Sequence, residues 1–251
     1  MSYAIVPDYY VPKIKNDSFP ELLHCVVYNR CNYNCIFCPK QYKKGKVTDY
    51  SPEEFEQKIL KLMDKSNGFK FTGGEPTLNP RLEKDIATVK KYGGIVFLDT
   101  NGSNPDVVEK LLKKNLLDVV GISLKGINEN EAKEVTRASG IKCWTNVKKT
   151  LEILSKADVT TILTYVVNDK LDIRSVVESL IQYVSNNNKF YLKINNYFLN
   201  AGGNDVFVPV NEEKLINEVN ESVNNDPTLR GRVIVIRNKK AVSDGRYIAH
   251  L

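Results

Sequence analysis

The sequence lacks long apolar segments, and none of its apolar runs reaches the roughly 18 residues that a membrane-spanning helix needs. The N-terminal stretch has prolines and charges where a secretory signal has its apolar core, so we expect no export and no membrane association. Lys and Arg number 36 against 30 acidic residues, but no run of five or more of them forms a nucleic-acid tail. We therefore expect a cytoplasmic globular protein whose mildly basic charge permits an acidic protein partner or nucleic acid but requires neither.

Cysteine is scarce and unevenly distributed. Of the five cysteines, Cys31, Cys35 and Cys38 lie within eight residues, and an odd, clustered set does not fit a secreted disulfide framework. A structural zinc site needs four ligands, and no fourth Cys or His follows Cys38 at the usual short spacing. Iron–sulfur clusters are usually held by four thiolates, so three would leave one iron open to another ligand. Both metals remain open at this point, with iron–sulfur favoured.

Segments typical of strands and helices alternate six times along the chain. Strands are predicted at 22–29, 69–72, 95–99, 119–124, 160–167 and 190–194. One helix is predicted to open with Ser51 as its N-cap and Pro52 at its first position, and a helix of about ten residues is expected after the turn that follows the second strand. Further helices are predicted at 106–113, 129–136, 147–156, 173–185 and 215–223. A seventh strand is predicted at 231–237, at a sheet edge. This alternation indicates parallel strands joined by helices, either in an open barrel or in a doubly wound sheet.

Unusual segments directly follow the first four predicted strands. They are the cysteine loop, Gly73–Pro76 (GGEP), Asp99–Gly102 (DTNG) and Leu124–Gly126. In both candidate folds the carboxyl ends of parallel strands lie on one side, where ligands bind. We therefore expect these four segments to share one functional rim.

The cysteine loop Cys31–Cys38 (CNYNCIFC) and the GGEP turn resemble the signature of radical S-adenosylmethionine (SAM) enzymes. The resemblance implies an α/β fold, an open partial (β/α)6 TIM-like barrel of parallel strands. It also implies a 4Fe–4S cluster on Cys31, Cys35 and Cys38, whose fourth iron binds SAM and cleaves it to a 5′-deoxyadenosyl radical. Gly73, Gly74 and Glu75 would contact the methionine moiety of SAM, and the glycines would let the backbone approach its ammonium. Phe37 would pack near the cluster or the adenine.

A narrower resemblance, to the activating enzymes of glycyl-radical proteins, rests on 98–102 (LDTNG), 118–125 (DVVGISLK) and 164–167 (TYVV). Pyruvate formate-lyase activase and the anaerobic ribonucleotide reductase activases belong to this group. It implies that Asp99 and Thr100 bind a monovalent or divalent cation near SAM, and that Lys125 is catalytic. Further pocket residues would be Asn101, Ser123 and Val166.

The narrower resemblance has departures. Ser123 stands where the group has an Asp, which removes a charge from the implied cation site. Thr164 stands where pyruvate formate-lyase activase has an arginine, and the N-terminal segment lacks the Asp-Gly-Pro-Gly-like stretch of the group. An alternative is therefore a radical SAM enzyme acting on a small molecule, similar to 7-carboxy-7-deazaguanine synthase. A non-catalytic metal-binding module for nucleic acid is a third, weaker alternative.

We expect one core barrel, residues 1–195 with an N-terminal extension over 1–20, and a C-terminal appendage, residues 196–251, that packs on it. The expected partners are a protein, peptide or small-molecule substrate and an electron donor such as flavodoxin or ferredoxin. An acidic donor would dock on the lysine-rich segment 39–46. The remaining cysteines and both histidines are expected to be structural or exposed: Cys25, Cys143, His24 and His250. Trp144 and Tyr165 are expected to pack in the core.

Overall fold

The computed structural model describes residues 3–10, 22–38, 50–197, 207–224, 226–236 and 248–250. The strands are β1 (Tyr3–Tyr10), β2 (Leu22–Tyr28), β3 (Gly68–Gly73), β4 (Ile95–Thr100), β5 (Val119–Ser123), β6 (Thr160–Val167), β7 (Phe190–Asn196), β8 (Val233–Ile236) and β9 (Ile248–His250). The helices are α1 (Pro52–Met63), α2 (Leu82–Lys91), α3 (Pro105–Lys113), α4 (Glu129–Thr136), α5 (Cys143–Ser155), α6 (Ile173–Ser185) and α7 (Glu212–Asn224). Short 3-10 turns follow β3 and α7, at Pro76–Leu78 and Pro227–Leu229. The predicted alternation of strands and helices is confirmed.

The chain divides into two compact units. The first contains Met1–Asn34, Lys40–Gly121 and Asn146–Val159, and the second contains Cys35–Pro39, Ile122–Thr145 and Thr160–Leu251. The boundary expected between residues 195 and 196 falls inside the second unit. The lysine-rich segment 39–46 lies outside the described residues, as do residues 198–206, which follow β7.

In the first unit, β2, β3 and β4 are parallel neighbours, and β1 pairs antiparallel with β2. Strand β1 was not predicted. The register sets Cys25 beside Lys70 and Lys70 beside Phe97, so these side chains share one face of the sheet. The opposite face carries fully buried apolar side chains: Val26, Phe69, Phe71, Val96 and Leu98. This sheet brings the carboxyl ends of β2, β3 and β4 together.

Helix α1 shows how local sequence determines an element boundary. The Ser51 hydroxyl accepts from the Glu54 N–H at 3.2 Å, and the Glu54 carboxylate accepts from the Ser51 N–H at 2.7 Å. Pro52 occupies the first helical position, where its missing N–H costs nothing. This capping box was predicted in part, since Ser51 and Pro52 were assigned but the return bond from Glu54 was not.

In the second unit, β6, β7 and β8 are parallel neighbours, and β9 pairs antiparallel with β8. Strand β8 therefore has a neighbour on each side, and the prediction that it lies at a sheet edge was wrong. The reason is β9, a three-residue strand too short to leave a periodic pattern in the sequence. Helix α6 contacts β7 and α7, and its apolar face is buried.

Helices that could cross a bilayer are absent from the described part of the chain, because each is too short or too polar.

Candidate active site

The five cysteines separate into two kinds. Cys31 and Cys38 are exposed and Cys35 is half-buried, whereas Cys25 and Cys143 are buried, and all five are reduced thiols. Burial raises the pKa of the Cys25 thiol to about 12, so this side chain stays protonated and is a poor metal ligand. The expectation that Cys25 and Cys143 are core residues is confirmed. The accessible thiols are the ones that follow β2.

The cysteine loop makes short-range bonds within itself. The Tyr33 N–H donates to the Cys31 sulfur at 3.4 Å, and the Cys38 N–H donates to the Cys35 carbonyl at 3.1 Å. Among the residues that the structure describes, no three His, Cys, Asp or Glu side chains come close enough to hold a metal ion. The donor set nevertheless fits an iron–sulfur cluster, which uses thiolates, because three accessible thiols lie on one short loop.

Gly73 and Gly74 bring the loop after β3 against the backbone that follows β2. The Gly74 N–H donates to the Tyr28 carbonyl at 2.5 Å, and the next N–H, of Glu75, donates to the Arg30 carbonyl at 2.7 Å. A Cβ atom on Gly74 would lie 2.2 Å from the Arg30 oxygen, and one on Gly73 would lie 2.4 Å from the Tyr28 oxygen. Gly73 also has φ +112°, which disfavours any side chain. The glycines are therefore required for loop-to-loop packing, a reason different from the predicted clearance for a ligand.

The Glu75 carboxylate is buried and fully engaged by protein donors. One oxygen accepts from the Thr77 N–H at 3.1 Å and from the hydroxyls of Thr77 and Thr100 at 2.6 Å each. The other accepts from the Asn101 N–H at 2.7 Å. Burial raises the pKa of Glu75, and the four donors oppose that shift. Glu75 thus ties the GGEP turn to the DTNG segment.

An amide pair connects the DTNG segment to the start of the cysteine loop. The Asn101 amide donates to the Asn32 side-chain oxygen at 2.9 Å, and the Asn32 amide donates to the Ser103 hydroxyl at 2.9 Å. The Asn101 oxygen accepts from the Ser103 N–H at 2.9 Å. Sequence reasoning missed Asn32 and Ser103 because 71 residues separate them and no short motif links them.

Asp99, which is partly exposed, forms an ion pair with the buried Lys70 that was not predicted. Its carboxylate lies 3.0 Å from the Lys70 ammonium, and the Thr72 hydroxyl donates to the same oxygen at 2.9 Å. Lys70 also lies over the Phe97 ring at 4.7 Å. A signal was present in the sequence, since Lys70 is the one charged residue in the buried strand GFKFTG.

In the second unit, aromatic and lysine side chains form a cluster around Phe37. The Lys125 ammonium lies 5.4 Å from the centre of the Phe37 ring, and that ring lies 6.3 Å from the Phe207 ring. Lys170 lies over Phe207 at 5.2 Å, and Tyr197 meets the same ring edge-on at 5.7 Å. We call these five residues the aromatic–lysine cluster. Sequence reasoning found Phe37 and Lys125 and missed the other three, which carry no motif.

The remaining predicted pocket residues lie on strands of the second unit. Ser123 ends β5 and is half-buried, and Val166 lies on β6 in register with Asn195 of β7. Tyr165 is buried and donates to the Glu131 carboxylate, and its pKa is raised first by burial and then by that carboxylate. The expected packing role of Tyr165 is confirmed.

A groove of about 710 Å³ in the first unit is separate from these residues. It is lined by α3 and by residues 149–159, next to the segments that precede β5 and β6. Catalytic loops of parallel α/β folds lie at the opposite, carboxyl ends of the strands. The groove therefore adds no residue to the candidate site.

Comparison with known proteins decides the family. The model of the radical SAM superfamily matches residues 25–180, more than half of the chain. The chain belongs to the radical SAM superfamily. It is therefore an enzyme of a superfamily whose members use a 4Fe–4S cluster and SAM, and the predicted class is confirmed.

Two curated relatives are similar to part of the chain. The chain is 29% identical over 155 residues to a GTP 3′,8-cyclase of Clostridium botulinum, covering 59% of this chain and 49% of the cyclase. It is 35% identical over 101 residues to a protein of Methanocaldococcus jannaschii named as a glycyl-radical enzyme activating enzyme, covering 38% and 40%. The chain spans less than half the length of these curated relatives.

The fold is that of a solved radical SAM enzyme. A radical SAM methyltransferase of Sphaerobacter thermophilus superposes with a TM-score of 0.61 at 12% identity, covering 93% of this chain and 78% of that one. This likeness shows the fold alone. It confirms the predicted α/β open barrel and leaves the substrate undetermined.

Proposed function

We propose that Cys31, Cys35 and Cys38 hold the 4Fe–4S cluster and that the loops after β3 and β4 bind SAM. These residues would thereby hold a cofactor pair that, with one electron from a reductant, would supply a 5′-deoxyadenosyl radical for hydrogen abstraction from the substrate. The contrast between these accessible thiols and the buried Cys25 and Cys143 supports the assignment.

One observation carries the proposal: Glu75 and Asn101 connect three consecutive rim loops through short hydrogen bonds. Glu75 holds the backbone of Asn101, and the Asn101 amide holds Asn32 in the cysteine loop. A cofactor-binding site needs such preorganised loops, because misplacement by about 1 Å can cost much of the rate. We therefore assign Glu75 and Asn101 as positioning residues, while the backbone of Gly73 and Gly74 lines the site.

The aromatic–lysine cluster supports a substrate with a planar ring and negative charge. Aromatic faces stack on rings, and lysines attract anions. This favours the small-molecule alternative over the activase reading, and the name of the cyclase relative agrees with it. In this proposal Lys125 and Phe37 contact the substrate, and Ser123 and Val166 line the same pocket.

The experiment that tests the proposal is an anaerobic reconstitution with iron and sulfide. We expect about four irons per chain, an EPR signal that SAM alters, and 5′-deoxyadenosine when a reductant is added. Cys38→Ser should lose all three, whereas the matched control Cys143→Ser should retain them. Zinc in place of iron, or equal behaviour of the two variants, would contradict the proposal.

Tests with nucleotides and with a partner protein distinguish the small-molecule alternative from the activase alternative. GTP and related nucleotides should increase 5′-deoxyadenosine formation if the substrate is a small anionic ring compound. The activase reading instead predicts an EPR-detected glycyl radical on a partner protein encoded nearby and no response to nucleotides. Lys125→Ala should reduce the nucleotide response, and Lys91→Ala serves as its matched surface control.

A further inference from the structure

Lys70 of β3 and Asp99 of β4 form an ion pair on the sheet face that also carries Cys25 of β2. The side chain of Lys70 is 6% exposed and that of Asp99 is 25% exposed, with 3.0 Å between the ammonium and one carboxylate oxygen. The Thr72 hydroxyl donates to the same oxygen. A lysine charge in such a place is costly unless a partner compensates it, and Asp99 is within contact distance.

The groups around the pair favour the lysine cation and add no second negative charge. The Phe97 ring faces the Lys70 ammonium at 4.7 Å, a contact that favours the cation. The Cys25 thiol lies beside Lys70 in the register, and because burial raises its pKa it stays neutral and adds no negative charge. The positive charge of Lys70 is therefore available to compensate the Asp99 carboxylate.

The cation site implied by the activase resemblance needs the same carboxylate. The other residues of that implied site are either replaced or already hydrogen-bonded within the protein. The Thr100 hydroxyl donates to Glu75 and accepts from the Gly102 N–H, and position 123 is a serine in place of a carboxylate. A bound metal cation at Asp99 would have to compete with an ammonium that is already 3.0 Å away.

We propose that the Lys70 ammonium takes the place of a bound metal cation beside Asp99, so that SAM binding needs no monovalent or divalent cation. Lys70 is then a positioning residue, because it acts through Asp99. The inference rests on the proposed SAM site at the ends of β3 and β4. In this proposal a side chain that the fold supplies replaces the cation cofactor that the activase resemblance implies.

The test measures the SAM affinity of the reconstituted 251-residue chain in sodium, potassium, magnesium and choline chloride at equal ionic strength. Wild-type affinity should agree within about twofold across the four salts. Lys70→Met should lose about tenfold in affinity in choline chloride and recover part of it in potassium or magnesium, because an uncompensated carboxylate then binds the added cation. Lys70→Arg should keep the wild-type pattern, and the surface control Lys91→Met should be unchanged.

Thermal unfolding without SAM provides a second measurement that does not need the proposed function. Lys70→Met and Asp99→Asn should each lower the Tm, and the double variant should lower it by clearly less than the sum. Additive losses in Tm would overturn the pairing of Lys70 with Asp99. The inference would also be overturned if the wild type bound SAM tightly only with potassium or magnesium and Asp99→Asn removed that requirement. A wild-type chain that binds no SAM in any salt would refute the proposed function instead.

Discussion

Replacing Glu75 by glutamine tests the network that connects the rim loops. The carboxylate has four protein donors, three on one oxygen and one on the other. In the glutamine variant an NH2 group replaces one of the two oxygens, so it faces donors that the carboxylate oxygen accepted. The milder orientation loses the bond from the Asn101 N–H and leaves two buried donors facing each other. Losing a buried hydrogen bond and leaving a donor unsatisfied costs about 1–3 kcal/mol.

A Tm shift follows from that magnitude. For a domain of this size each kcal/mol corresponds to about 2–4 °C, so Glu75→Gln should unfold roughly 2–12 °C below wild type. Urea titration followed by circular dichroism measures the free energy of unfolding directly. Glu152→Gln, which removes an exposed carboxylate paired with Lys156, is the matched control and should leave the midpoint nearly unchanged.

The difference in the free energy of unfolding between wild type and Glu75→Gln should depend on pH. Because burial raises the pKa of Glu75, the folded chain binds the proton more tightly than the unfolded chain does. The free energy of unfolding of the wild type therefore falls as pH rises from 4.5, the pKa of the carboxyl in the unfolded chain, through the raised pKa of the folded chain. The glutamine variant carries no ionisable group at this position and shows no such fall. The destabilisation by Glu75→Gln should shrink as pH rises. A destabilisation that grows with pH would show that the four donors outweigh burial.

Three further substitutions have defined outcomes. Gly74→Ala places a methyl group against the Arg30 carbonyl and should lower the free energy of unfolding, measured by urea titration, by about 2 kcal/mol or more. It should also reduce the iron content after reconstitution, and full iron loading would contradict the packing role. Ser51→Ala removes the cap of α1 and should cost about 1 kcal/mol, and an unchanged urea midpoint would contradict it. Tyr165→Phe removes the bond to Glu131 and should cost about 1 kcal/mol in the same titration without changing iron content; iron loss would give Tyr165 a role beyond packing.

Elements with a local signal were predictable from the sequence. Helix α6 and strand β6 match their predicted ranges, because a full amphipathic pattern or a run of β-branched residues spans each of them. Strands β1 and β9 were missed because antiparallel pairing with β2 and β8, and not a periodic pattern of their own, holds them in the sheet. Propensity carries little information about such pairing.

In the candidate site, too, the features with a local sequence signal were predictable. The cysteine spacing and the GGEP turn identified the superfamily, because both are contiguous and chemically demanding. The sequence order also predicted that the loops after β2, β3 and β4 lie together, since parallel strands place their carboxyl ends at one edge.

Tertiary structure decided what those loops do to each other. It showed that the Glu75 carboxylate holds the Asn101 backbone and that Asp99 pairs with Lys70, two contacts that were not predicted. Each of these contacts joins residues more than 20 positions apart, so its formation depends on strand register and burial. The sequence by itself determined the superfamily and the order of elements, whereas the charge balance and the bonding between the loops arise only when the sheet is assembled.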